Sequence, residues 1–154
     1  MTATNRQKHD AGRHLAVAHA LLHGYPAKLI GPHRYVVING LKSVVMVAGM
    51  GAWQIADVDD FTHSSQPRYV LVDITGGGAR LYVVPGDVLR EGVRVRHAEF
   101  LERVGGERPR DPAGRHSTIE PAHVAEWEDR WSLFDSAGEE VPLDEADDHA
   151  PAER

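Results

Sequence analysis

Apolar residues recur at helical spacing early in the chain, where Leu15, Ala18 and Leu22 fall on one stripe. Gly24 follows directly and is the residue type that most often ends a helix, because glycine adopts the left-handed backbone without strain. The pattern therefore predicts a helix over 11–23.

Short runs of β-branched and aromatic residues follow the predicted helix and indicate strands. Asn39-Gly40 separates two of these runs and is a strong signal for a two-residue hairpin, since both residues tolerate positive φ. The glycines at 76–78 separate another two and predict a second hairpin. The predicted strands are 27–30, 35–38, 43–48, 69–74 and 80–84, with an irregular continuation through 53–55 and a short helix or turn at 57–63.

The last third of the chain predicts two helices joined by a polar loop. The first spans 94–104, the loop spans 107–118, and the second spans 121–134. In the second helix Val124, Trp127, Trp131 and Phe134 recur at intervals of three and four, so we expect one apolar face to dock on the body of the protein.

This order of elements predicts an α/β (or α+β) protein with a single mixed sheet of about five strands, flanked by helices. We divide the chain into a flexible N-terminus at 1–10, one globular domain at 11–134 and an acidic disordered tail at 135–154. The tail is rich in Asp, Glu, Pro and Ala and has little apolar surface to bury.

The amino-acid composition excludes several kinds of functional site. The 154 residues include no cysteine, which excludes disulfides, Cys-type zinc sites, iron–sulfur clusters and thiol nucleophiles. No apolar run approaches the ~20 residues of a membrane span, and the polar start does not resemble a signal peptide, so we expect a cytoplasmic protein with no membrane partner.

Charge is distributed unevenly along the chain. Residues 1–56 carry six Lys/Arg against one acid, a net charge of +5, whereas residues 57–154 carry a net charge of −11. No carboxylate occurs between Asp10 and Asp57. A reaction centre built on the early strands would therefore have no anionic metal ligand of its own.

The element order, the Asn39-Gly40 hairpin and the distal stretch YVLVDITGGGARLYVVPGD together resemble the restriction-endonuclease-like (PD-(D/E)xK) superfamily. In that fold a helix leads into three strands, and a helix and further strands complete the sheet. The resemblance covers about two-thirds of the chain and implies an acid near the end of the second strand and an acid-x-lysine triplet on the third.

The catalytic residues of that superfamily do not carry over to this chain. The second strand reads RYVVING, with no acid, and Met46-Val47-Ala48 is the nearest counterpart of the triplet on the third strand. Magnesium sites of this kind use carboxylates together with substrate phosphates. The resemblance therefore implies a catalytically degenerate member that binds nucleic acid, or serves a nucleic-acid-processing assembly, with no cofactor.

Basic and polar residues at strand ends and loops are the candidate nucleic-acid contacts, with Tyr35, Trp53 and Tyr69 interleaved as stacking groups. Ordinary solvated charge is the alternative reading, and the overall acidity of the chain favours it. The candidate contacts are Arg34, Lys42, Trp53, Gln54, Arg68, Arg110 and Arg115.

Three rival assignments remain open. A Mg²⁺-dependent nuclease would use relocated carboxylates at Asp57, Asp59 or Asp73. A metal site could form on His19 and His23, which lie four residues apart on the first helix. A protein-interaction or immunity-type module would bind a partner through the Trp127/Trp131 helix or the acidic tail.

Overall fold

The computed structural model describes residues 1–31, 34–104 and 115–135. The helices are α1 (Asn5–Leu22), α2 (Val58–Thr62) and α3 (Gly86–Arg103), with 3₁₀ helices at Thr75–Gly77, Pro121–Trp127 and Trp131–Phe134. The strands are β1 (Ala27–Ile30), β2 (Tyr35–Ile38), β3 (Leu41–Ala48), β4 (Trp53–Ile55), β5 (Arg68–Asp73), β6 (Arg80–Pro85) and β7 (Ser117–Ile119).

Five of these strands form one mixed sheet in the order β1-β2-β3-β5-β6. The first three strands run as an antiparallel meander, β5 lies parallel to β3, and β6 returns antiparallel to β5. The parallel step requires a crossover, which β4 and α2 supply. The predicted α/β class with a mixed five-strand sheet is confirmed.

Both predicted hairpins are present. Asn39 and Gly40 have φ values of 52° and 81°, and Ile38 pairs with Leu41 across the turn. In the second hairpin Asp73 pairs with Arg80, at the two ends of the glycine-containing turn. These turns fix the register of β2 with β3 and of β5 with β6.

Helix α1 begins earlier than the sequence pattern predicts. Thr4 caps it, because its hydroxyl accepts a hydrogen bond from the Gln7 backbone while the Gln7 side chain accepts one from the Thr4 backbone. Residues 5–10, which we assigned to a flexible N-terminus, are therefore the first turns of the helix. The helix start was missed because residues 5–10 are mostly polar and show no apolar stripe, although the Thr4–Gln7 capping box marks it.

Helix α1 covers one face of the sheet at close range. Gly12 lies directly against Val47 of β3, where a β-carbon would have no room. Arg13, which is 5% exposed, donates from Nη2 to the carbonyl oxygens of Ile30, Gly31 and Tyr35. This contact ties α1 to the connection between β1 and β2.

The opposite face of the sheet is covered by α3, α2 and the small β4–β7 sheet. Val44, Tyr69 and Leu71 from the sheet form one core there with Trp53 of β4 and Val93 of α3. The α1 side has its own core, which includes Val45, Val70 and Val72. Neighbouring residues of one strand therefore belong to different cores, as alternation requires.

The last part of the chain differs from its prediction. Residues 121–134 form two 3₁₀ helices and not one α-helix, and they are interrupted by extended backbone at Glu128 and a positive φ of 55° at Asp129. Glu128 bridges to Tyr82 of β6, so a sheet contact replaces the helical turn. The 3–4 spacing of the apolar residues correctly predicted that they turn inward. It did not predict that the helices are of the 3₁₀ type.

Strands β4 and β7 form a two-stranded antiparallel sheet that the sequence pattern does not predict. Trp53 pairs with Ile119, and Ile55 pairs with Ser117. Ser117–Ile119 lies at the end of a segment that we read as a polar loop. Among the described residues, no helix is long and apolar enough to cross a membrane.

Candidate functional site

A cleft lies over the second half of β3, bordered by the start of α1, by β4 and by α2. It consists of two cavities of about 490 and 560 Å³. Both are lined by Arg34, Met46 and Gln54, which makes them neighbours, and we call the pair the β3 cleft. The first cavity adds Asn5, Arg6, His9, Asp10, Val45, Val47 and Trp53, and the second adds Ile55, Ala56, Asp57, Asp60, Phe61, Ser64 and Tyr69.

Of the three residues that the sequence analysis compares with the acid-x-lysine triplet, Met46 and Val47 line this cleft and Ala48 does not. Met46 is half-buried and lines both cavities, and Ala48 follows it on the same face with 2% exposure. Val47 packs in the α1-side core. A thioether and a methyl group therefore occupy the positions where the resemblance implies a carboxylate and an ammonium group.

Three of the predicted contact residues line the cleft, and two of them share both cavities while the third, Trp53, is buried. Arg34 and Gln54 are exposed, and both line the first and the second cavity. Arg34 sits at the entry to β2, and its carbonyl oxygen accepts a hydrogen bond from the Val45 backbone at 2.7 Å. The Arg34 side chain is thereby anchored by a fixed backbone while its guanidinium group is open to solvent.

Lys42 and Arg68 do not join them. Lys42 Nζ lies 4.1 Å from the centre of the Tyr35 ring, on the α3 side of the sheet. The Arg68 guanidinium lies 5.9 Å from the Phe134 ring, in the α1-side core. Burial lowers the pKa of Arg68, and its Nη1 donates to the Lys42 carbonyl oxygen at 3.1 Å. The two cations thus lie on opposite faces, and Arg68 serves to hold β5 to β3.

The other predicted arginines lie elsewhere. Arg115 is exposed and lines neither cavity of the cleft. Arg110 lies outside the described residues. Most of the predicted acidic tail lies outside them as well, although its first residue, Asp135, accepts a hydrogen bond from the Tyr25 hydroxyl.

The predicted stacking groups are core residues. Tyr35, Trp53 and Tyr69 are 4%, 1% and 3% exposed. The Trp53 indole N–H donates to the carbonyl oxygens of Met46 and Val72, and its ring meets Tyr82 edge to face. Trp53 and Tyr69 border the cleft, but with at most 4% of each residue exposed none of the three offers a ring face on which a base could stack. The interpretation of these aromatics as a stacking surface is therefore wrong.

The start of α1 supplies cleft residues that the sequence analysis did not identify. Arg6, His9 and Asp10 line the first cavity because the helix begins at Asn5 and passes over the edge of the cleft. The signal that could have found them is the Thr4–Gln7 capping box, which predicts a helix start there.

The carboxylates proposed for a relocated metal site are dispersed. Asp57 caps α2 by accepting from the backbones of Asp59 and Asp60. Asp57 and Asp60 line the second cavity, whereas Asp59 faces a different one. Asp73 ends β5, as its polarity predicts, and accepts from the Thr75 backbone.

The histidine pair on α1 has other contacts. His23 stacks on Trp131 with ring centres 5.3 Å apart, and its Nδ1 lies 2.8 Å from the His19 carbonyl oxygen. Across 1–31, 34–104 and 115–135, no group of three or more His, Cys, Asp or Glu side chains is placed to hold a metal ion.

The single helix that was predicted to present Trp127 and Trp131 to a protein partner is not formed. Trp131 is 2% exposed, and Trp127 is half-buried on a separate 3₁₀ helix. The two rings therefore do not present one apolar face to a partner.

Comparison with known proteins adds no family. No protein-family model matches the chain, and no curated protein matches it at a significant level. The geometry of the cleft is therefore the basis for a functional assignment.

Proposed function

We propose that this protein is a non-catalytic, nucleic-acid-associated binding protein on a degenerate nuclease-like scaffold, and that the β3 cleft is its contact surface. The order of elements supports the scaffold part of the proposal. Helix α1 leads into the β1–β3 meander, and α2, β5 and β6 complete the sheet, as in the restriction-endonuclease-like fold.

The observation that carries the proposal is the side-chain content at the centre of the cleft. Arg34 and Gln54 are exposed, and both line the two cavities together with Met46. An exposed arginine can pair with a phosphate, and an amide can donate to and accept from a base edge. A thioether does neither and binds no Mg²⁺. This set of groups suits binding better than hydrolysis.

Fluorescence anisotropy with labelled single- and double-stranded DNA tests the proposal. We expect binding at low salt that weakens as salt rises, because phosphate contacts release condensed counterions. Arg34→Ala should weaken binding and reduce the magnitude of the slope of log K against log salt by about 0.9.

Lys28→Ala is the matched control, because it also removes one exposed cation and Lys28 lines neither cavity. It should leave the affinity and the slope close to those of the unmodified protein. Absence of binding to both DNA forms at low salt would refute the proposal, and so would equal losses in the two variants.

A nuclease remains the second candidate, because Asp57 and Asp60 line the second cavity together. If the protein is a nuclease, it should cut plasmid DNA in the presence of Mg²⁺ or Mn²⁺. The Asp57→Asn variant should then leave the plasmid intact. Plasmid left intact by the unmodified protein under every condition would eliminate this candidate. Asp73→Asn serves as the comparison, since Asp73 lines neither cavity of the cleft.

A further inference from the structure

A separate cavity, lined by different residue types from those of the β3 cleft, lies between the C-terminal half of α3, β7 and the Pro121–Trp127 helix. It measures about 320 Å³. Its basic side chains come from both sides: Arg96, His97 and Arg103 from α3, and His116 and His123 from beyond it. Ser117 and Thr118 add hydroxyl groups, and no carboxylate occurs among the described residues that line it. We call it the cationic pocket.

One wall of the cationic pocket is a buried histidine with an unused donor or acceptor. His97 is 7% exposed, and its Nε2 has no hydrogen-bond partner in the described structure. Its ring stacks on Phe100, which also lines the pocket, with centres 6.0 Å apart. Buried polar atoms normally have partners, because leaving one unpaired costs the full desolvation of that atom. His97 lines both this pocket and a cavity beside α2, and we take a ligand of the pocket as the missing partner.

Arg96, which precedes His97 on α3, is the second pocket residue with a buried atom that lacks a partner in the described structure. Its Nε is buried and has no hydrogen-bond partner among the described groups. Burial lowers the pKa of Arg96, while Glu120 and Glu99 nearby act in the opposite direction. A guanidinium group remains charged under any such shift, so Arg96 contributes a poorly hydrated cation to the pocket.

His123 lines the pocket and has a defined tautomer in its neutral form. Its Nδ1 accepts a hydrogen bond from the Glu120 backbone N–H at 3.0 Å, which requires that Nδ1 carry no proton. The ring proton of the neutral form is then on Nε2. Burial, followed by the positive charge of Arg96, lowers the pKa of His123 and so favours this neutral form.

We propose that the cationic pocket binds a phosphate monoester group. Two guanidinium groups, three imidazoles and two hydroxyls line the pocket, and none of its described lining residues carries a carboxylate. A phosphate monoester has three terminal oxygens that can accept hydrogen bonds from such a set. Phe100 offers an apolar surface to whatever the phosphate carries. Gln54 is the one described residue that lines both this pocket and the β3 cleft, so this inference goes beyond the proposed function.

The imidazole resonances of the ¹⁵N-labelled protein test this proposal during titration with inorganic phosphate and, separately, with adenosine monophosphate. We expect the signals of His97 and His123 to shift and saturate. The histidines of α1, at His14 and His19, line no part of the pocket and should stay in place. Adenosine without phosphate is the control ligand and should leave all of them unchanged.

Arg103→Ala is the informative variant, because Arg103 is exposed at the end of α3 and its loss leaves the core intact. We expect it to weaken phosphate binding roughly tenfold, the loss of about one charge-assisted hydrogen bond. Arg94→Ala is the matched control, because Arg94 is exposed on the same helix, pairs with Glu91 and lies outside the pocket. It should change binding less than about twofold.

Tighter binding of adenosine monophosphate than of inorganic phosphate would support a nucleotide or a nucleic-acid end as the source, and equal binding would support free phosphate. Both results support the site. Absence of saturable shifts at His97 and His123 would overturn it, and so would equal weakening by Arg103→Ala and Arg94→Ala. DNA binding in the anisotropy assay is measured independently, so failure here leaves the β3 cleft to be judged separately.

Discussion

Gly12 of α1 packs directly on Val47 of the sheet, and its replacement by alanine gives a quantitative test of the packing. A β-carbon at Gly12 would overlap Cγ2 of Val47 and would lie 3.2 Å from Val47 Cβ and Cγ1. Both partners are held by regular structure, Gly12 in the third turn of α1 and Val47 in the centre of the sheet. Relief therefore requires a shift of the helix or an unfavourable rotamer of Val47.

Two opposing terms set the size of the effect of Gly12→Ala. Alanine in a helix interior is favoured over glycine by about 1 kcal/mol. Overpacking a well-packed core costs about 1–3 kcal/mol. Because the overlap with Val47 is severe, we expect the second term to dominate and the free energy of unfolding to fall by about 1–2 kcal/mol.

The double-mutant cycle with Val47→Ala isolates the contact. Val47→Ala removes both γ-methyl groups and alone should cost about 1 kcal/mol, since Val47 is half-buried. In that background only Cβ remains near the new methyl group, so Gly12→Ala should be neutral or stabilising. Urea unfolding followed by tryptophan fluorescence measures all four proteins. Additivity within about 0.5 kcal/mol would refute the packing we describe.

Three further predictions concern Arg13, Asp57 and His123. Arg13→Met leaves buried carbonyl oxygens without their cationic donor and should lower the free energy of unfolding by about 3 kcal/mol in urea titrations, whereas an unchanged midpoint would contradict the hydrogen bonds. Asp57→Ala removes the α2 cap and should cost about 1 kcal/mol, more than Asp57→Asn does, by thermal unfolding. The lowered pKa of His123, caused by burial and then by Arg96, means that its neutral form stabilises the fold above the unfolded value of about 6.5 and that this contribution is lost as pH falls through the folded pKa. An imidazole NMR titration that places His123 above 6.5 would contradict this.

The strands of the sheet could be predicted because their signals are local. Asn39-Gly40 encodes its own turn, and the runs before and after it are apolar on both faces, as strands covered on both sides must be. The β4–β7 pairing could not be predicted in the same way. It joins Trp53 to Ile119 across 66 positions, and three-residue strands carry too few alternations to be recognised.

The candidate site was predictable only in part, for a related reason. Alternation along β3 and along β5 tells which residues share a face within each strand, but the relation between strands depends on their register. Val44 pairs with Tyr69, which sends Lys42 and Arg68 to opposite faces. Arg34 and Gln54 line the same cavities because β4 packs against β3. This packing is tertiary structure, which no local sequence pattern predicts.

Trp53 illustrates the limit of residue type as a guide to function. An aromatic residue close to exposed polar neighbours is consistent with base stacking and equally with a core anchor. Its indole N–H donates to two carbonyl oxygens inside the protein and the residue is 1% exposed, so the ring is held in the core.

Backbone amide mapping during titration with a short DNA duplex tests the central claim most directly. If the β3 cleft is a nucleic-acid contact surface, the largest ¹H–¹⁵N shifts should occur at Arg34, Met46 and Gln54, and they should shrink as salt rises. Shifts concentrated on the exposed face of β1 around Lys28, or no shifts at low salt, would contradict the account.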